Sequence, residues 1–168
     1  MLEIKKEPRE REIEVMRGLI KDRGSYLYYL VQAARERGVA WEDIARCGMA
    51  AFGCMKFRAR FSQIQGLDDF LETYLSEETK QIFDSYLIER DENHAVIRAG
   101  YCPLMHAWVE CGGDEAQVAK LCDIAMDADR AQVNSIPALS FSLRKSLAEG
   151  DDQCEFLVEL CKQEEESK

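Results

Sequence analysis

Residues 140–160 indicate the fold class most clearly, and they read SFSLRKSLAEGDDQCEFLVEL. Apolar side chains alternate with polar ones twice in this stretch, at Phe141, Leu143 and Leu147, and then at Cys154, Phe156, Val158 and Leu160. Alternation with a period of two predicts a strand with one face in the core and one in water. The link over residues 148–152, AEGDD, is rich in turn formers, so we predict that the two strands form a hairpin.

A second hairpin is predicted upstream, with residues 93–100, NHAVIRAG, as one of its strands. Residues 82–89, IFDSYLIE, fit two patterns: a helical face made by Ile82, Phe83, Tyr86 and Leu87, or a strand face made by Ile82, Tyr86 and Ile88. We favour the strand, which would pair with residues 93–100 through a turn at Asp91-Glu92-Asn93.

Two helices are predicted between the hairpins. The first begins at Pro103, since proline suits the first helical position, and runs to about Cys111, where Gly112-Gly113 stops it. Asp114 then caps a longer helix that extends to about Ala131.

The N-terminal part has the apolar periodicity of helices. We predict one helix over residues 9–22, a break at Gly24-Ser25 and a second helix that ends at Gly38. A third helix covers residues 41–55, where Gly48 and Gly53 indicate close packing against a neighbouring helix, and a short fourth covers residues 67–75.

The predicted fold class is therefore α+β, with N-terminal helices packed on a small antiparallel sheet of about four strands. A length of 168 residues fits one domain. We divide it into a helical part over residues 1–78, an α+β part over residues 80–161 that carries the cysteine site, and an acidic tail over residues 162–168.

Charge and composition indicate which classes of partner the chain is expected to bind. The formal net charge is -10, and basic residues are interleaved with acids, so we expect no nucleic-acid partner and interpret the basic run KFRAR, residues 56–60, as a solvated face. No apolar run is long enough to span a membrane, and the charged N-terminus does not resemble a signal peptide, so we expect a cytoplasmic protein without a membrane partner. The expected partner is a small-molecule substrate or ligand, and a homo-oligomer is left open.

Cys102 is the best candidate for a nucleophile among the seven cysteines. Because Pro103 follows it, Cys102 is expected at a helix N-terminus, where free amides and the helix dipole stabilise a thiolate. A small buried residue between two elements is an equally good interpretation. His106, one turn later, would be close enough to cooperate, although a surface or packing histidine is the commoner case.

Cys122 and Cys154 are each predicted on an apolar face and, judged by position alone, are best interpreted as core thiols. Asp129 shares a helix face with Val118, Cys122 and Ala125, and a carboxylate on such a face needs a partner or a polar pocket. Asp127 is the alternative acid, on a more exposed face.

Three short motifs together resemble the 2-amino-thiazoline-4-carboxylic acid hydrolase family. They are Tyr101-Cys102-Pro103-Leu104, Leu121-Cys122 with acids following, and residues 147–156, LAEGDDQCEF. The resemblance covers about residues 80–160 and implies hydrolytic opening of a cyclic amidine, at a non-peptide C–N bond, to a carbamoyl-cysteine. The resemblance implies that Cys102, Cys122 and Cys154 match the family's cysteines and that Asp127 or Asp129 matches its acid. From the resemblance and the positions together, we expect a catalytic group made of Cys102, Asp129 and His106, and a substrate-binding group made of Tyr101, Cys122, Asp127, Asp151 and Cys154.

Two mechanisms fit the resemblance. In one, the Cys102 thiolate adds to the amidine carbon while an acid such as Asp129 moves protons. In the other, zinc is held by Cys102, Cys122 and Cys154, with a fourth position open for water. A non-enzymatic alternative is a sensor similar to the 4-vinyl-reductase-like ligand-binding domains, in which the cysteines line a ligand pocket or hold a structural zinc.

Overall fold

The computed structural model describes residues 8–161. The predicted acidic tail, residues 162–168, lies outside the described residues, as do residues 1–7. The helical N-terminal region contains α1 (Pro8–Glu36), α2 (Trp41–Lys56), a π-helical turn (Phe57–Phe61), α3 (Leu67–Tyr74) and α4 (Glu77–Phe83). The rest contains β1 (Ser85–Arg90), β2 (His94–Ala99), α5 (Pro103–Glu110), α6 (Glu115–Asn134), β3 (Leu139–Lys145), a 3-10 turn (Leu147–Glu149) and β4 (Cys154–Leu160).

The sheet confirms the predicted α+β class. Its strands are antiparallel in the order β1-β2-β4-β3, so each predicted hairpin forms and β2 pairs with β4 at the centre. Asp91 stabilises the first hairpin turn, because its carboxylate accepts hydrogen bonds from the backbone N–H groups of Asn93 and His94. Leu147, predicted on a strand, lies instead in the 3-10 turn.

The prediction for residues 82–89 was wrong at its beginning. Ile82 and Phe83 end α4, whose N-terminus is capped by Ser76. Asp84 then adopts a left-handed conformation, with φ of 50°, which stops the helix and starts β1 one residue later. The helical pattern therefore applies to Ile82 and Phe83, and the strand pattern applies to the residues from Ser85 onward.

The predicted break at Gly24-Ser25 is absent, and α1 runs through it without interruption. Gly24 is buried against α5: a Cβ at this position would lie 3.1 Å from the Cβ of Ala107. The indole Nε1 of Trp108 also donates a hydrogen bond to the Gly24 carbonyl, at 3.0 Å. Close packing thus outweighs the roughly 1 kcal/mol that a glycine costs inside a helix.

Only one of the two glycines in α2 has the predicted packing role. Gly53 is buried against the backbone of Ala128 on α6, whereas nothing lies within 4 Å of a Cβ built at Gly48. The α2–α6 contact is the most extensive between helices in the described chain. Its outer rim is held by Arg46, which bonds both Asp123 and Asp127.

The two helices between the hairpins begin as predicted. Pro103 occupies the first turn of α5, and Asp114 forms a capping box with Gln117 at the start of α6. Helix α6 extends beyond the predicted end at Ala131, to Asn134. Its apolar face packs on β3 and contributes Val133 to a core that also contains Phe70, Ile97 and Val158.

Within the described residues, no helix is both long enough and apolar enough to cross a membrane.

Candidate functional site

A cavity of about 330 Å³ lies between the N-terminal helices, α5, α6 and the ends of β2 and β4. Most of its wall is apolar, with contributions from Phe61, Ile82, Trp108, Met126 and Phe156. Polar and ionisable side chains occupy the remainder, and they include Tyr74, Cys102, Cys122, Asp129, Gln132 and Cys154. This combination of an apolar enclosure and a few polar groups is typical of a small-molecule site.

The structure brings the three predicted cysteines to this one cavity from three different elements. Cys102 lies at the N-cap of α5, Cys122 lies on α6, and Cys154 is the first residue of β4. Cys154 is placed by the sheet register, which sets it opposite Ala99 at the end of β2. All three are free thiols.

The pKa of Cys102 is shifted in the direction opposite to the one predicted. Burial raises the pKa of the Cys102 thiol, while the backbone amides of Met105 and Leu104 and the charge of Arg23 act against that rise. These amides belong to the first turn of α5, so the helix N-terminus does act on the thiol. The expected helix N-terminus is therefore present, but loss of solvent outweighs its effect, and the resting group is a neutral thiol.

The other two thiols are protonated as well. Burial raises the pKa of Cys122 to about 12, although its sulfur is 3.5 Å from the Ser146 hydroxyl. Burial also raises the pKa of Cys154 to about 11, although its sulfur accepts a hydrogen bond from the Leu147 N–H at 3.4 Å. Ser146 and Leu147 both belong to the turn that precedes β4. That turn therefore fixes the positions of the Cys122 and Cys154 sulfurs.

The three thiols do not form a ligand set. Across residues 8–161, no group of three or more His, Cys, Asp and Glu side chains is arranged so that it could hold a metal ion. The zinc alternative needs three sulfurs within bonding distance of one point, and it gains no support from this arrangement.

Asp129 and Gln132 supply the polar part of the α6 wall. Burial raises the pKa of the Asp129 carboxyl, and the positive charges of Lys56, Arg23 and Arg130 partly counter that rise. Gln132 is 0% exposed, and neither its Oε1 nor its Nε2 has a hydrogen-bond partner in the part of the chain that the structure describes. The two residues are three positions apart, so they lie on one helix face.

Three basic residues line the cavity and are exposed or half-buried, so they lie on its solvent-facing side, here called the mouth. Arg23 comes from α1, Lys56 from the end of α2 and Arg60 from the π-helical turn. Among the described residues, none of the three makes an ion pair. In a chain with a net charge of -10, this local positive charge favours an anionic group at the entrance. The interpretation of residues 56–60 as a solvated face therefore holds for the exposed Arg58 but not for Lys56.

Tyr101, predicted to bind substrate, lies in the cavity wall. His106 does not line the cavity; its ring stacks on Tyr101 with centroids 4.5 Å apart. Arg17 places its guanidinium over the same tyrosine, 4.3 Å from the ring centroid, and donates to the carbonyls of Ile82 and Gln81. His106 is thus a neighbour of the wall rather than a group that faces the cavity.

Two of the predicted substrate-binding acids also lie outside the cavity wall. Asp127 forms ion pairs with Arg46 and Arg130 on the outer side of α6. Asp151 accepts a hydrogen bond from the Ser146 N–H at 2.7 Å, so it stabilises the turn before β4. Of the two alternative acids, Asp129 lines the cavity and Asp127 does not.

The family model for L-2-amino-thiazoline-4-carboxylic acid hydrolase matches residues 19–158. The chain belongs to this family. The matched region of the 2-amino-thiazoline-4-carboxylic acid hydrolase model contains every cavity residue named above, from Arg23 to Phe156.

The fold of this hydrolase-family chain is similar to that of a solved structure from another class. The crystal structure of a trafficking protein particle complex subunit 3 from Naegleria fowleri, covalently bound to palmitic acid, superposes with a TM-score of 0.58. The match has 12% sequence identity and covers 86% of this chain and 97% of the other. At that identity, the likeness concerns the fold alone. Among curated proteins, none matches the chain in sequence.

Sequence reasoning missed Gln132, Arg23 and the role of Lys56 in this hydrolase-family chain. Gln132 carried one available signal, since it lies one turn after Asp129 on the same helix face. The basic run at residues 56–60 was a signal for Lys56, but it was interpreted as a solvated face. Arg23 gave no signal, because it comes from α1 and meets Lys56 only in the folded chain.

Proposed function

We propose that the cavity is the active site of a hydrolase that opens the ring of L-2-amino-thiazoline-4-carboxylate and releases carbamoyl-cysteine. The observation that carries the proposal is that Cys102 and Asp129 line one cavity whose mouth is cationic. The family match supports the same substrate class.

The substrate has a carboxylate at one end and an electrophilic amidine carbon, C2, in its ring. Arg23 and Lys56 lie where they can bind the carboxylate by charge-assisted hydrogen bonds. The ring then enters the apolar part of the cavity, which places C2 near Cys102. The apolar wall excludes bulk water and strengthens the electrostatic interactions inside.

The first chemical step is addition of the Cys102 sulfur to C2. As the S–C2 bond forms, the C2=N π bond of the ring opens and leaves its electron pair on the ring nitrogen. The thiol proton passes to the Asp129 carboxylate, whose raised pKa makes it a stronger base than an exposed aspartate. The ring nitrogen then re-forms its double bond to C2 and the C2–S1 bond breaks, because a thiolate is a better leaving group than an amine nitrogen. The bond cleaved in this proposal is therefore C–S, and not the C–N bond expected from the sequence. Asp129 returns the proton to the ring sulfur, and the substrate remains attached to Cys102 through C2.

The second step is hydrolysis of that adduct. Water adds to C2 and the bond between C2 and the Cys102 sulfur breaks. The sulfur takes one proton of the water, the former ring nitrogen takes the other, and the oxygen stays on C2 as the carbamoyl C=O. The product keeps both nitrogens and gains the water oxygen as its carbamoyl oxygen. One substrate and one water thus give one N-carbamoyl-cysteine, with no other reactant.

Ring opening is tested by following product formation with purified wild type, Cys102→Ala and Asp129→Asn. We expect wild type to release a free thiol together with a carbamoyl product identified by mass spectrometry. Each substitution should lower the rate at least about 100-fold. Cys47→Ala, which alters an exposed thiol on α2, is the control and should retain full activity.

Wild-type turnover no faster than buffer would overturn the proposed activity. Unchanged turnover in Cys102→Ala would overturn the covalent step. A product with a free amine and no free thiol would place ring opening at the C–N bond.

The apolar wall favours a second candidate, a non-catalytic ligand-binding domain. Phe61, Trp108 and Phe156 give the cavity a surface suited to an acyl chain or a similar apolar ligand. The structural neighbour that holds palmitic acid has the same fold. Intact-mass analysis of the purified protein separates the candidates, since an acyl adduct on Cys102 in an inactive protein would favour the ligand-binding domain.

A further inference from the structure

Gln132 is the most unusual polar group of the cavity. It lies inside α6, is 0% exposed, and leaves both its amide oxygen and its amide nitrogen without a hydrogen-bond partner within residues 8–161. Arg98 Nε is the one other side-chain nitrogen or oxygen of the described chain that is buried without a partner. Gln132, unlike Arg98, lines the cavity.

An unpartnered buried amide is destabilising. Each buried donor or acceptor without a partner costs about 1–3 kcal/mol, and an apolar residue of similar length would avoid that cost. Because Gln132 is one of the residues that line the cavity, a ligand that fills the cavity and contacts the amide would satisfy both atoms at once. That ligand must present a donor and an acceptor side by side, because Oε1 accepts and Nε2 donates.

We propose that Gln132 is a specificity-determining residue that binds the N–C–N edge of the substrate amidine. This inference rests on the proposed function. The exocyclic amino group donates to Gln132 Oε1, and the ring nitrogen accepts from Nε2, so that two parallel hydrogen bonds form. The edge of the ring is then fixed one helical turn from Asp129, with C2 between the two contacts.

The pairing of the Gln132 amide with the amidine predicts that the cavity discriminates strongly between ring compounds with and without the 2-amino group. Thiazoline-4-carboxylate without the 2-amino group has the same ring and carboxylate but leaves Gln132 Oε1 unpaired. A site that hydrogen-bonds a substrate group rejects an analogue that lacks it more strongly than an apolar pocket does. An acyl chain satisfies neither atom, so Gln132 also argues against a purely apolar ligand.

The test measures equilibrium binding in the Cys102→Ala background, where substrate is not consumed. Calorimetry compares L-2-amino-thiazoline-4-carboxylate with the analogue that lacks the amino group. We expect the amino compound to bind at least about tenfold tighter, as the loss of one hydrogen bond to a buried partner predicts. Adding Gln132→Met should abolish this preference, and adding Gln132→Glu should weaken binding of the amino compound because a carboxylate cannot donate to the ring nitrogen.

Gln63→Met is the matched control, since Gln63 is exposed and outside the cavity wall. Thermal unfolding should show that Gln132→Met folds with unchanged or higher stability, because it removes unpaired polar atoms. In the active background, Gln132→Met should raise KM for the amino compound.

The outcomes separate this inference from the proposed function. Turnover by wild type together with a preference that survives Gln132→Met would overturn the role of Gln132 and leave the hydrolase standing. A Gln132-dependent preference in a protein without turnover would support the binding role and overturn the hydrolase. Equal binding of both compounds in the Cys102→Ala parent would also overturn the role of Gln132.

Discussion

Gly53 of α2 lies directly against the backbone of Ala128 on α6. A Cβ at Gly53 would come within 2.8 Å of the Ala128 carbonyl carbon and nearer still to its oxygen, and neither backbone atom can move away cheaply. Asp129, the next residue along α6, faces the cavity. The distance between the two helices therefore also sets the position of the acid on which the proposed chemistry depends.

Gly53→Ala should destabilise the fold. The added methyl group must push α2 and α6 apart, and such overpacking costs about 1–3 kcal/mol. Gly48→Ala is the matched control on the same helix: with open space around its Cβ, it should stabilise by about 0.5–1 kcal/mol through helix propensity alone. Urea unfolding of both variants checks the pair, and equal effects would show that the α2–α6 contact is looser than described.

Asp129→Asn should stabilise the protein at neutral pH, with an effect that depends on pH. Burial raises the pKa of Asp129 in the folded state, so folding favours the protonated acid. That contribution is fully present below the unfolded-state pKa, about 4, and is lost as pH rises through the folded-state pKa. Removing the Asp129 charge should therefore increase the free energy of unfolding at pH 7. Each kcal/mol of that increase should raise Tm by about 2–4 °C. The gain should disappear near pH 3 in melting scans.

The thiols should differ in their rates of alkylation. Cys47 and Cys161 are exposed and should react with iodoacetamide first. Cys122 and Cys154 have pKa values raised to about 12 and about 11, and should remain unmodified until strongly alkaline pH. Peptide mass spectrometry across a pH series measures these rates. Rapid labelling of Cys102 at pH 7 would contradict its raised pKa and indicate a preformed thiolate.

Arg17→Met should loosen one side of the cavity wall. Arg17 joins α1 to the end of α4 through the carbonyls of Ile82 and Gln81, and it covers the Tyr101 ring. We expect a loss of about 1–3 kcal/mol, since the hydrogen bonds are charge-assisted. Arg11→Met, on an exposed part of the same helix, is the control and should change stability by less than about 0.5 kcal/mol.

If the cavity wall loosens as described, Arg17→Met should also expose Cys102 to reagent faster than wild type does, whereas Arg11→Met should not. Loss of stability without a change in Cys102 reactivity would confine the role of Arg17 to the α1–α4 contact.

Local signals in the sequence predicted the α+β class well. Alternation identified β3 and β4, and Pro103 and Asp114 marked the starts of α5 and α6. These features depend on residues that are close in the chain. The false break at Gly24 shows the limit of such signals, because Trp108 and Ala107 stabilise α1 there from a distant part of the sequence.

The candidate site was predictable only in part. The three cysteines and Asp129 were placed in one region by motif and helix spacing, and the structure brings them to one cavity. The direction of the Cys102 pKa shift was wrong because the sequence shows a helix start but not how deeply it is buried. The basic run at residues 56–60 contained two of the cations at the mouth, Lys56 and Arg60, but Arg23 joins them only when α1 and α2 meet in the fold.

The π-helical turn at Phe57–Phe61 has a consequence for insertions and deletions. A π turn takes one more residue than an α turn, so the chain that follows is out of phase with α2. Phe61 and Arg60 reach the cavity from this shifted phase. Deleting a single residue here would remove the extra residue of the π turn and change which side chains of this segment line the cavity. The wall thus depends on the number of residues in this turn as much as on their identity.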